Sequence, residues 1–379
     1  MIHYSYDLAN KRRDLTDVLD TVIAAEPRFI SNFRNGAVAT QRKHEWLEDQ
    51  IGGRSITATA VSGNVATVSA ADAAKVKVGT LLSVKDDAAV FQVTAVSGTS
   101  VTVSLVGANG SKLNAPAQGI LEIIGTPTEE GSTAGEDVFR QAGTEYNNTF
   151  ILRKDITLTG TALAVNTYDG ANDMTRQTRF AMMEAARDLN RMAIKGVRID
   201  ATASVKGVAG GLYFFGTQAG GLSVPLATAA QLDSFIINDA AAAILSAGGN
   251  PTQILCSPGQ ARVLSAEMRD QIQIIRADNA RGAYVATVIN DVNGSGMTII
   301  ADPDVPDTDA WVIDPAGFAI SYLKGRTLTD SDTTEKGFDG IRRTAIGELT
   351  FEFKNAKSRL CRISNLKPSA EVIAALKQK

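Results

Sequence analysis

Histidine, cysteine and aromatic residues are scarce in this chain of 379 residues. It holds two histidines, His3 and His44, which nearly excludes a histidine-based catalytic triad or a His-rich metal site. The two cysteines, Cys256 and Cys361, lie in the apolar runs ILC and RLCRI, which is typical of small buried hydrophobic residues and not of disulfide partners. We therefore expect a protein without catalytic residues, metal ligands or a cofactor.

Strong net charge and long apolar runs are also lacking. The net charge is −3, so no bulk attraction to nucleic acid or to an anionic membrane is expected. No apolar run approaches the ~20 residues that a membrane span needs, and the first residues lack the apolar segment of a signal peptide. With 44% hydrophobic and 21% charged residues, the composition predicts a soluble protein of two or three domains that is made in a cytoplasm.

Two motifs that could carry chemistry fit structural roles better. The run DPDVPDTD at 302–309 could bind a hard cation, but the calcium-loop pattern fails because Asp307 replaces its glycine and Ile313 its final glutamate. A turn rich in proline and aspartate is therefore predicted. No Gly-Lys-Ser/Thr signature follows the glycine-rich run 207–221, so we expect a flexible surface loop there and not a phosphate-binding loop.

The stretch from Asp169 to Lys195 is predicted to be one long helix. It holds no proline, and Gly196 after it can take the left-handed conformation that ends helices. One apolar stripe follows the helical spacing: Met174, Ala181, Met182, Ala185, Leu189, Met192 and Ala193. Positive charges accompany it: Arg176, Arg179, Arg187, Arg191 and Lys195. Two hypotheses stay open, an ordinary core helix with a solvated basic face and a spine helix that contacts neighbouring subunits.

Residues 1–50 indicate an arm without a core of its own. The segment from Asp14 to Ala25 has the spacing of a short amphipathic helix, which Glu26-Pro27 ends. Its apolar face and the apolar residues that follow it are Leu15, Val18, Leu19, Val22, Phe29, Ile30 and Phe33. Because such a segment cannot bury these side chains by itself, we expect Leu15, Val18, Leu19, Phe29 and Phe33 to lie against a neighbouring subunit. Trp46, in the run HEWLED, is a further candidate for this interface.

Residues 54–125 differ in kind, with short runs of Thr, Val, Ala and Gly and few charges. They predict five or six short strands with Ser-Gly-Asn and Ser-Gly-Thr turns. The run TAVSGNVATVS at 59–69 returns as TAVSGTSVTVS at 94–104, and two copies are too few for a solenoid. We therefore predict a small closed barrel with two similar hairpins, inserted into the chain as a domain.

The remaining chain combines strands and helices, and the predicted fold class is α+β. Residues 149–165 alternate as a strand that leads to the long helix. A capping box, Thr228-Ala-Ala-Gln231, is predicted to open the first helix of a compact α/β region. Residues 338–366 predict a long antiparallel hairpin that turns near Asn355.

Five runs follow one another along the chain: RRDLTDVLDTV (12–22), HEWLEDQ (44–50), TLTGTALAVN with the long helix (157–195), ILCSPGQARVL (254–264) and GELTFEFKNAKSRLCRISNL (347–366). In this order they resemble the major capsid proteins of tailed bacteriophages with the Hong Kong ninety-seven type fold, in the branch once known as a family of unknown function. The runs cover most of the chain outside the inserted β-domain, and their order is more specific than any single run.

The resemblance implies an N-terminal arm (1–35), an extended E-loop (36–150) that carries the β-domain (54–125), a peripheral P domain (151–230 with the spine helix 169–195, and 325–379) and an axial A domain (231–324). It implies pentamers and hexamers that close into an icosahedral virion shell around double-stranded DNA, assembled in the bacterial host cytoplasm. The implied partners are further copies of the chain, a separate scaffolding protein, a portal and a decoration protein. The candidate subunit-interface residues are Leu15, Val18, Leu19, Phe29, Phe33, Trp46, Arg176, Arg179, Arg187 and Arg191. An encapsulin-like compartment shell, which shares the fold, is the alternative.

Overall fold

The computed structural model describes residues 27–49, 55–84, 89–108, 119–128, 130, 142–165, 173–202, 204–267 and 287–376. The chain divides into two compact units. The barrel unit is Asp49–Gly143, and the main unit consists of Met1–Glu48 together with Thr144–Lys379. Within the described residues, no helix has the length and apolar character needed to cross a membrane.

The described strands and helices follow in chain order. The strands are β1 (Arg34–Asn35), β2 (Lys43–Glu48), β3 (Ser55–Ser62), β4 (Val65–Val68), β5 (Leu81–Val84), β6 (Ala89–Ser97), β7 (Ser100–Ala108), β8 (Gly119–Gly125), β9 (Gly143–Asn148), β10 (Phe150–Thr159), β11 (Leu222–Ala230), β12 (Gln253–Cys256), β13 (Thr287–Ile289), β14 (Gly296–Ala301), β15 (Ala310–Ile313), β16 (Phe318–Tyr322), β17 (Thr329–Asp332), β18 (Gly340–Phe353) and β19 (Leu360–Leu366). The helices are α1 (Ala70–Ala73), α2 (Gly160–Ala164), α3 (Asp173–Lys195), α4 (Ser234–Ser246), α5 (Pro258–Glu267), α6 (Ala356–Arg359) and α7 (Ser369–Leu376).

Two sheets and a ribbon organise the main unit. A five-stranded sheet has the order β1-β16-β18-β10, with β17 also paired to β18. A six-stranded sheet has the order β11-β19-β15-β12-β14-β13 and contains parallel and antiparallel pairs. Strands β2 and β9, which flank the barrel unit in sequence, pair as a two-stranded ribbon. The predicted α+β fold class is therefore confirmed.

Helix α3 forms within the stretch that the sequence predicts as one long helix. Its stripe is buried as the spacing requires, at Met174, Ala181, Ala185, Leu189 and Ala193. Gly196, however, does not have the left-handed backbone that was predicted to end the helix. A side chain at this position would collide with the carbonyl oxygens of Met192 and Ala209, so close backbone packing requires the glycine.

The main unit has two cores of different chemistry. The first is rich in aromatic rings: Phe29, Trp46, Phe150, Phe215, Trp311, Phe318, Phe351 and Phe353. The second is mostly aliphatic: Leu232, Ile237, Ile244, Ile254, Leu264, Ile299, Val312 and Ile363. Cys256 and Cys361 are free thiols buried in this second core, which confirms their predicted role as small hydrophobic residues. Burial raises the pKa of each thiol to about 12.

The barrel unit is a closed barrel with the strand order β3-β4-β7-β6-β5-β8. Its core consists of small and medium-sized side chains, including Ile56, Leu82, Phe91, Val101 and Leu121. The prediction of a small barrel is therefore confirmed. Closure pairs every strand on two sides and removes the exposed edges that favour aggregation.

The predicted antiparallel hairpin over 338–366 is wrong. The chain does turn near Asn355, which has a left-handed φ of 53°. Strand β18 before this turn belongs to the five-stranded sheet, whereas β19 after it belongs to the six-stranded sheet. The short helix α6 lies between the two strands and carries the chain from one sheet to the other. Alternation of apolar residues predicts strands, but it does not say which sheet each strand joins.

Two further expectations for the main unit are wrong. The run 207–221 is no flexible surface loop, because Leu212 and Phe215 are fully buried and lie in a helical turn that continues as a π-helix over Phe214–Gln218. The predicted capping box is also absent, since residues 228–230 belong to β11. Helix α4 begins at Ser234 and is capped by the preceding residue, Asp233, whose side chain accepts from a backbone amide.

Candidate assembly surfaces

Residues 27–39, which are the described end of the N-terminal arm (1–35) and the four residues after it, pack against the chain's own core. Phe29 is fully buried, and its ring lies 5.2 Å from Phe33 and 6.0 Å from Phe318 between centroids. The ring of Phe33 lies 5.6 Å from that of Phe353. Phe29 therefore needs no neighbouring subunit for burial, because the rings of the five-stranded sheet cover it, and the half-buried Phe33 packs against the same rings. Contact of either residue with a neighbouring subunit stays a prediction. Leu15, Val18 and Leu19 lie outside the described residues.

Backbone hydrogen bonds hold the same segment along strand β16. Strand β1 runs parallel to β16. After it, Gly36 donates to the carbonyl of Ile320 at 2.8 Å, and Ala39 donates to that of Tyr322 at 2.9 Å. A side chain on Gly36 would collide with Ser321 and Glu352, so glycine is required where the chain leaves β1 and continues along β16. The arm is thus fixed to its own subunit from Phe29 onward.

The aspartate loop, Asp302–Asp309, joins the arm to helix α3. Asp302 is fully buried and accepts from the backbone N–H of Phe29 at 3.2 Å and from Asn190 Nδ2 at 2.9 Å. Asn190 Oδ1 in turn accepts from the backbone N–H of Ile30 at 3.1 Å. Three segments that are far apart in sequence therefore meet at one buried polar contact.

The other acidic residues of the aspartate loop bind different elements. Asp307 accepts from Ser257 and from the backbone N–H of Ser369, which holds the starts of α5 and α7 together. Burial alone would raise the pKa of Asp307, but these hydrogen bonds outweigh it and lower the pKa. Asp309 accepts from the hydroxyl of Tyr213 at 2.6 Å and from the guanidinium of Arg362 at 2.8 Å. The loop is the predicted turn, but its role in joining the main unit was not predicted.

None of the acidic residues of this loop belongs to a metal cluster. In the part of the chain that the structure describes, no group of three His, Cys, Asp or Glu side chains is placed to hold a metal ion. The carboxylates are instead satisfied by amide, hydroxyl and guanidinium groups of the protein. Four aspartates between two strands were visible in the sequence, but only the positions of their partners distinguish a joining loop from a solvated turn.

The candidate arginines of α3 differ in their surroundings. Arg179 and Arg191 are exposed, whereas Arg176 and Arg187 are half-buried. Arg191 forms a hydrogen bond of 2.8 Å with Asp304 of the aspartate loop, so it contacts its own chain. Acidic residues also lie on this helix: Glu184 and Asp188 face Lys154 of β10. The face is therefore mixed in charge, and contact of these arginines with a neighbouring subunit stays a prediction.

Trp46 on the β2–β9 ribbon is buried in its own chain, with 7% of its surface exposed. Its ring lies 6.0 Å from that of Phe215, and its Nε1 donates to Glu48 at 2.8 Å. Its burial therefore needs no neighbour, and contact of Trp46 with another subunit stays a prediction. Leu47, the next residue, lies on the opposite face of the strand and is 72% exposed. Strand alternation around Trp46 is the sequence signal that would have identified Leu47.

Glu352 of β18 lies beneath the ribbon and the arm. It is fully buried, accepts from His44 Nε2 at 2.8 Å and from Ser321, and lies 2.8 Å from Lys354 Nζ. Burial by itself would raise the pKa of Glu352, but its hydrogen bonds with His44, Lys354 and Ser321 outweigh burial and lower the pKa to about 2. An ionised carboxylate thus holds the start of the ribbon on the five-stranded sheet.

A cleft of about 410 Å³ opens beside the base of the ribbon. Arg42, Lys43, Tyr146 and Asp200 are among the residues that line it. The Tyr146 ring has Lys43 Nζ at 4.0 Å and the guanidinium carbon of Arg198 at 3.9 Å from its centroid. The walls carry positive and negative side chains, so the cleft is polar and mixed in charge.

Several large apolar side chains remain exposed on the main unit. They include Val38, Leu47, Ile151, Val165, Phe235, Ile289, Val292, Phe338 and Ile341, with exposed fractions from 37% to 73%. Single exposed apolar residues are ordinary on protein surfaces. Three of them lie on the ribbon, on α4 and on the edge strand β13, namely Leu47, Phe235 and Ile289. These side chains are better placed to contact another protein than Phe29 or Trp46, which are already buried in their own chain.

Comparisons with known proteins identify the kind of chain. The model of a family described as SU10 major capsid protein matches residues 2–367. A search of curated protein sequences gave no match. Two solved structures share the fold over nearly the whole chain. The capsid of Cyanophage A-1(L) is 11% identical with a TM-score of 0.54, and the match covers 96% of this chain and 98% of that one. The capsid of an empty GTA particle is 10% identical with a TM-score of 0.53, over 94% of this chain and 95% of that one.

An encapsulin is also similar, but more distantly. The holo-SrpI encapsulin from Synechococcus elongatus PCC 7942 is 11% identical with a TM-score of 0.42. That match covers 60% of this chain and 77% of the encapsulin chain. A likeness at this level carries no argument for the compartment-shell alternative.

Proposed function

The chain belongs to the SU10 major capsid protein family, and from this premise we propose that its copies assemble as pentamers and hexamers into an icosahedral phage head around double-stranded DNA. One observation carries the proposal: the family match extends from residue 2 to residue 367 and so includes both units of the chain. The proposed role is structural, without catalysis. Repeated contacts among identical subunits, related by closed symmetry, would then be the main activity of the molecule.

The two sheets of the main unit support an assignment of capsid domains. We propose that α3 with the five-stranded sheet is the P domain, that the six-stranded sheet with α4 and α5 is the A domain, and that residues 36–150 form the E-loop with its inserted barrel. The bounds 231–324 for the A domain then need adjustment. Strands β11 and β19 lie outside them but belong to the six-stranded sheet, and β16 lies inside them but pairs with β1 and β18.

Further partners are part of the same proposal. We propose a separate scaffolding protein and a portal in the host cytoplasm, and a decoration protein on the finished head. The enclosed DNA would be held without sequence-specific contacts, since the net charge is −3 and packaged DNA must move freely. Purified subunits should bind duplex DNA weakly, with an affinity that falls steeply as salt rises. Sequence-specific binding that resists salt would contradict this part of the proposal.

Electron microscopy and sedimentation of the expressed full chain test the main proposal. We expect closed shells or capsomer rings that sediment far faster than a 40.0 kDa monomer. A chain that stays monomeric at all concentrations, with and without a co-expressed scaffold, would overturn it. Shells that enclose a defined cargo enzyme in place of DNA would favour the encapsulin-like alternative.

Truncation of the arm separates assembly from folding. Deletion of residues 1–26 leaves Phe29 and Phe33 in the core, so we expect a folded subunit that fails to form shells. Deletion of residues 1–34 also removes these two rings, and we expect loss of about 3–5 kcal/mol or more of unfolding free energy from Phe29 alone. Circular dichroism and sedimentation would measure both effects. Normal shells from the chain without residues 1–26 would show that the arm is dispensable.

A further inference from the structure

The two hairpins of the barrel unit correspond residue by residue over the eleven positions of the repeated run. The runs TAVSGNVATVS (59–69) and TAVSGTSVTVS (94–104) contain the turns of the β3–β4 and β6–β7 hairpins and the strand residues on either side of them. Gly63 and Gly98 occupy the same place in these turns and have nearly the same left-handed φ, 58° and 57°. Each hairpin also has an irregularity of register at one equivalent position, after Ala58 in the first and after Val93 in the second.

Side-chain hydrogen bonds repeat with the same correspondence. The hydroxyl of Thr59 donates to the carbonyl of Thr67 at 3.0 Å, and its equivalent Thr94 donates to that of Thr102 at 3.2 Å. Each bond bridges the place where the register shifts. Two hairpins that shared only a turn type would have no reason to share this bond, so the likeness extends beyond the turn.

Contacts between the hairpins are related by a local twofold axis. Strands β4 and β7 pair so that Ala66 lies opposite Val101, its own equivalent, and both are fully buried. The flanking backbone bonds are also equivalent. Val68 N–H donates to Thr99 O at 2.8 Å, and the matching bond from Val103 to Asn64 is 2.8 Å as well. A rotation about the Ala66–Val101 pair therefore exchanges the two hairpins.

The third strands obey the same rotation. Leu82 of β5 lies opposite Phe91 of the second hairpin, and Leu121 of β8 lies opposite Ile56 of the first, where Ile56 and Phe91 are equivalent positions. Strands β5 and β8 then pair with each other symmetrically: Leu82 faces Ile123, and Val84 faces Leu121. Each third strand thus follows one hairpin in sequence and pairs with the other hairpin in space.

We infer that the barrel is an intrachain dimer of one duplicated unit, in which the two copies exchange their third strands. The described parts of the two copies are residues 55–84 and residues 90–108 with 119–123. The surface that each unit presents fits one kind of partner, a second copy of the same unit. Closure by exchange uses every edge of both copies, so the finished barrel offers no strand edge to neighbouring chains. This inference does not depend on the proposed capsid function.

Grafts within the full chain test the inference. One variant replaces residues 55–69 with the sequence of 90–104, a second makes the reverse replacement, and a third exchanges the two hairpins. The control replaces residues 55–69 with the sequence of 91–105, which shifts the register by one residue and turns every inward side chain outward. Hydrogen exchange of the barrel amides reports whether each barrel forms.

The exchanged variant decides the outcome, because it keeps one alanine and one valine on the axis. We expect its amide protection to stay within about tenfold of the parent, whereas the shifted control loses protection throughout β3 and β4. The single grafts place two valines or two alanines on the axis, and their amide protection should lie between that of the exchanged variant and that of the shifted control. Loss of protection in the exchanged variant to the level of the shifted control would overturn the inference.

Discussion

The barrel unit and the main unit are stabilised by different kinds of contact. Strands β3, β4, β6 and β7 contain no charged residue, and of the buried polar side chains in the described chain only Thr80 belongs to the barrel unit. The main unit instead buries acidic residues: Asp302, Asp309, Asp314, Glu348 and Glu352. The barrel is therefore held by backbone pairing around small apolar side chains, and the main unit by aromatic packing and buried carboxylates.

The difference follows from distance along the chain. Half of the strand pairs in the barrel join consecutive strands, as in the β3–β4 and β6–β7 hairpins, and its most distant pair, β3–β8, joins Ser55 to Glu122. The main unit joins distant segments, and Phe29 lies 273 residues from its partner Asp302. A segment that meets a distant partner needs a directional contact to fix its position, and a buried carboxylate supplies it when its hydrogen bonds are complete. Short-range hairpins have their register fixed by the turn.

The largest effect is expected from truncating the aromatic core. Phe353 is fully buried and contacts the rings of Phe33, Phe215 and Phe318. Phe353→Ala should cost about 3–5 kcal/mol of unfolding free energy in the main unit and leave barrel amide protection unchanged. Denaturant unfolding with hydrogen exchange measures both. Phe235→Ala is the control, because Phe235 is 73% exposed and should change little. Equal losses in both units would mean that they unfold as one.

A somewhat smaller loss of stability, confined to the barrel unit, is expected from truncating the barrel core. Leu82 is fully buried where β5 pairs with β6 and β8. Leu82→Ala should cost about 2–5 kcal/mol and abolish protection in the barrel only. Leu105→Ala, at a position that is 41% exposed, is the matched control. Protection lost first in β10 or β18 would contradict the division into two units.

The same contrast explains what the sequence could predict. The barrel's strands, turns and repeat were predictable because alternation and turn residues act over short distances, as at Gly63 and Gly98. The stripe of α3 was predictable for the same reason. The sheet joined by each strand of 338–366 was not, because pairing of β18 and β19 depends on partners that lie far away in the sequence.

The surfaces were less predictable than the elements. In the sequence, Phe29, Phe33 and Trp46 have the pattern of interface residues, because they are large apolar residues in polar surroundings. Phe29 and Phe33 pack against rings of β16 and β18, and Trp46 packs against Phe215, and all of these partners lie more than a hundred positions away in the sequence. Glycines in the run 207–221 indicated flexibility, but Gly216 is there because a side chain would collide with the ring of Trp311. Steric need and flexibility give the same sequence pattern.

A third prediction concerns the pH dependence of the main unit's stability. The pKa of Glu352 is about 2, below its ordinary value of 4.5, so its ionised form stabilises the main unit above pH 4.5. This stabilisation is lost as the pH falls from 4.5 toward 2 and Glu352 becomes protonated. Glu352→Gln should therefore be less stable than the parent at neutral pH, with a difference that narrows as the pH falls. Thermal unfolding across this range measures it. If the stability difference between Glu352→Gln and the parent stays constant with pH, the loss of stability comes from altered packing and not from the missing charge.

The smallest effect on folding is expected at Arg179, which lies on the surface of the main unit, whereas the residues of the preceding predictions are buried. Arg179 is exposed on α3, the helix whose opposite stripe is buried in the main unit. Arg179→Glu should change the unfolding free energy by no more than about 0.5 kcal/mol, because an exposed side chain loses little on substitution.

Assembly should respond differently to Arg179→Glu. If α3 contacts a neighbouring subunit through this face, the reversed charge is repeated at every copy of the interface, and shells should form more slowly and only at higher protein concentration. Light scattering of assembling subunits measures the rate. Lys206→Glu makes the same charge change at an exposed residue outside α3 and is the control. Equal assembly rates for the two variants would place the subunit contact elsewhere and leave the ordinary core helix as the better description of α3.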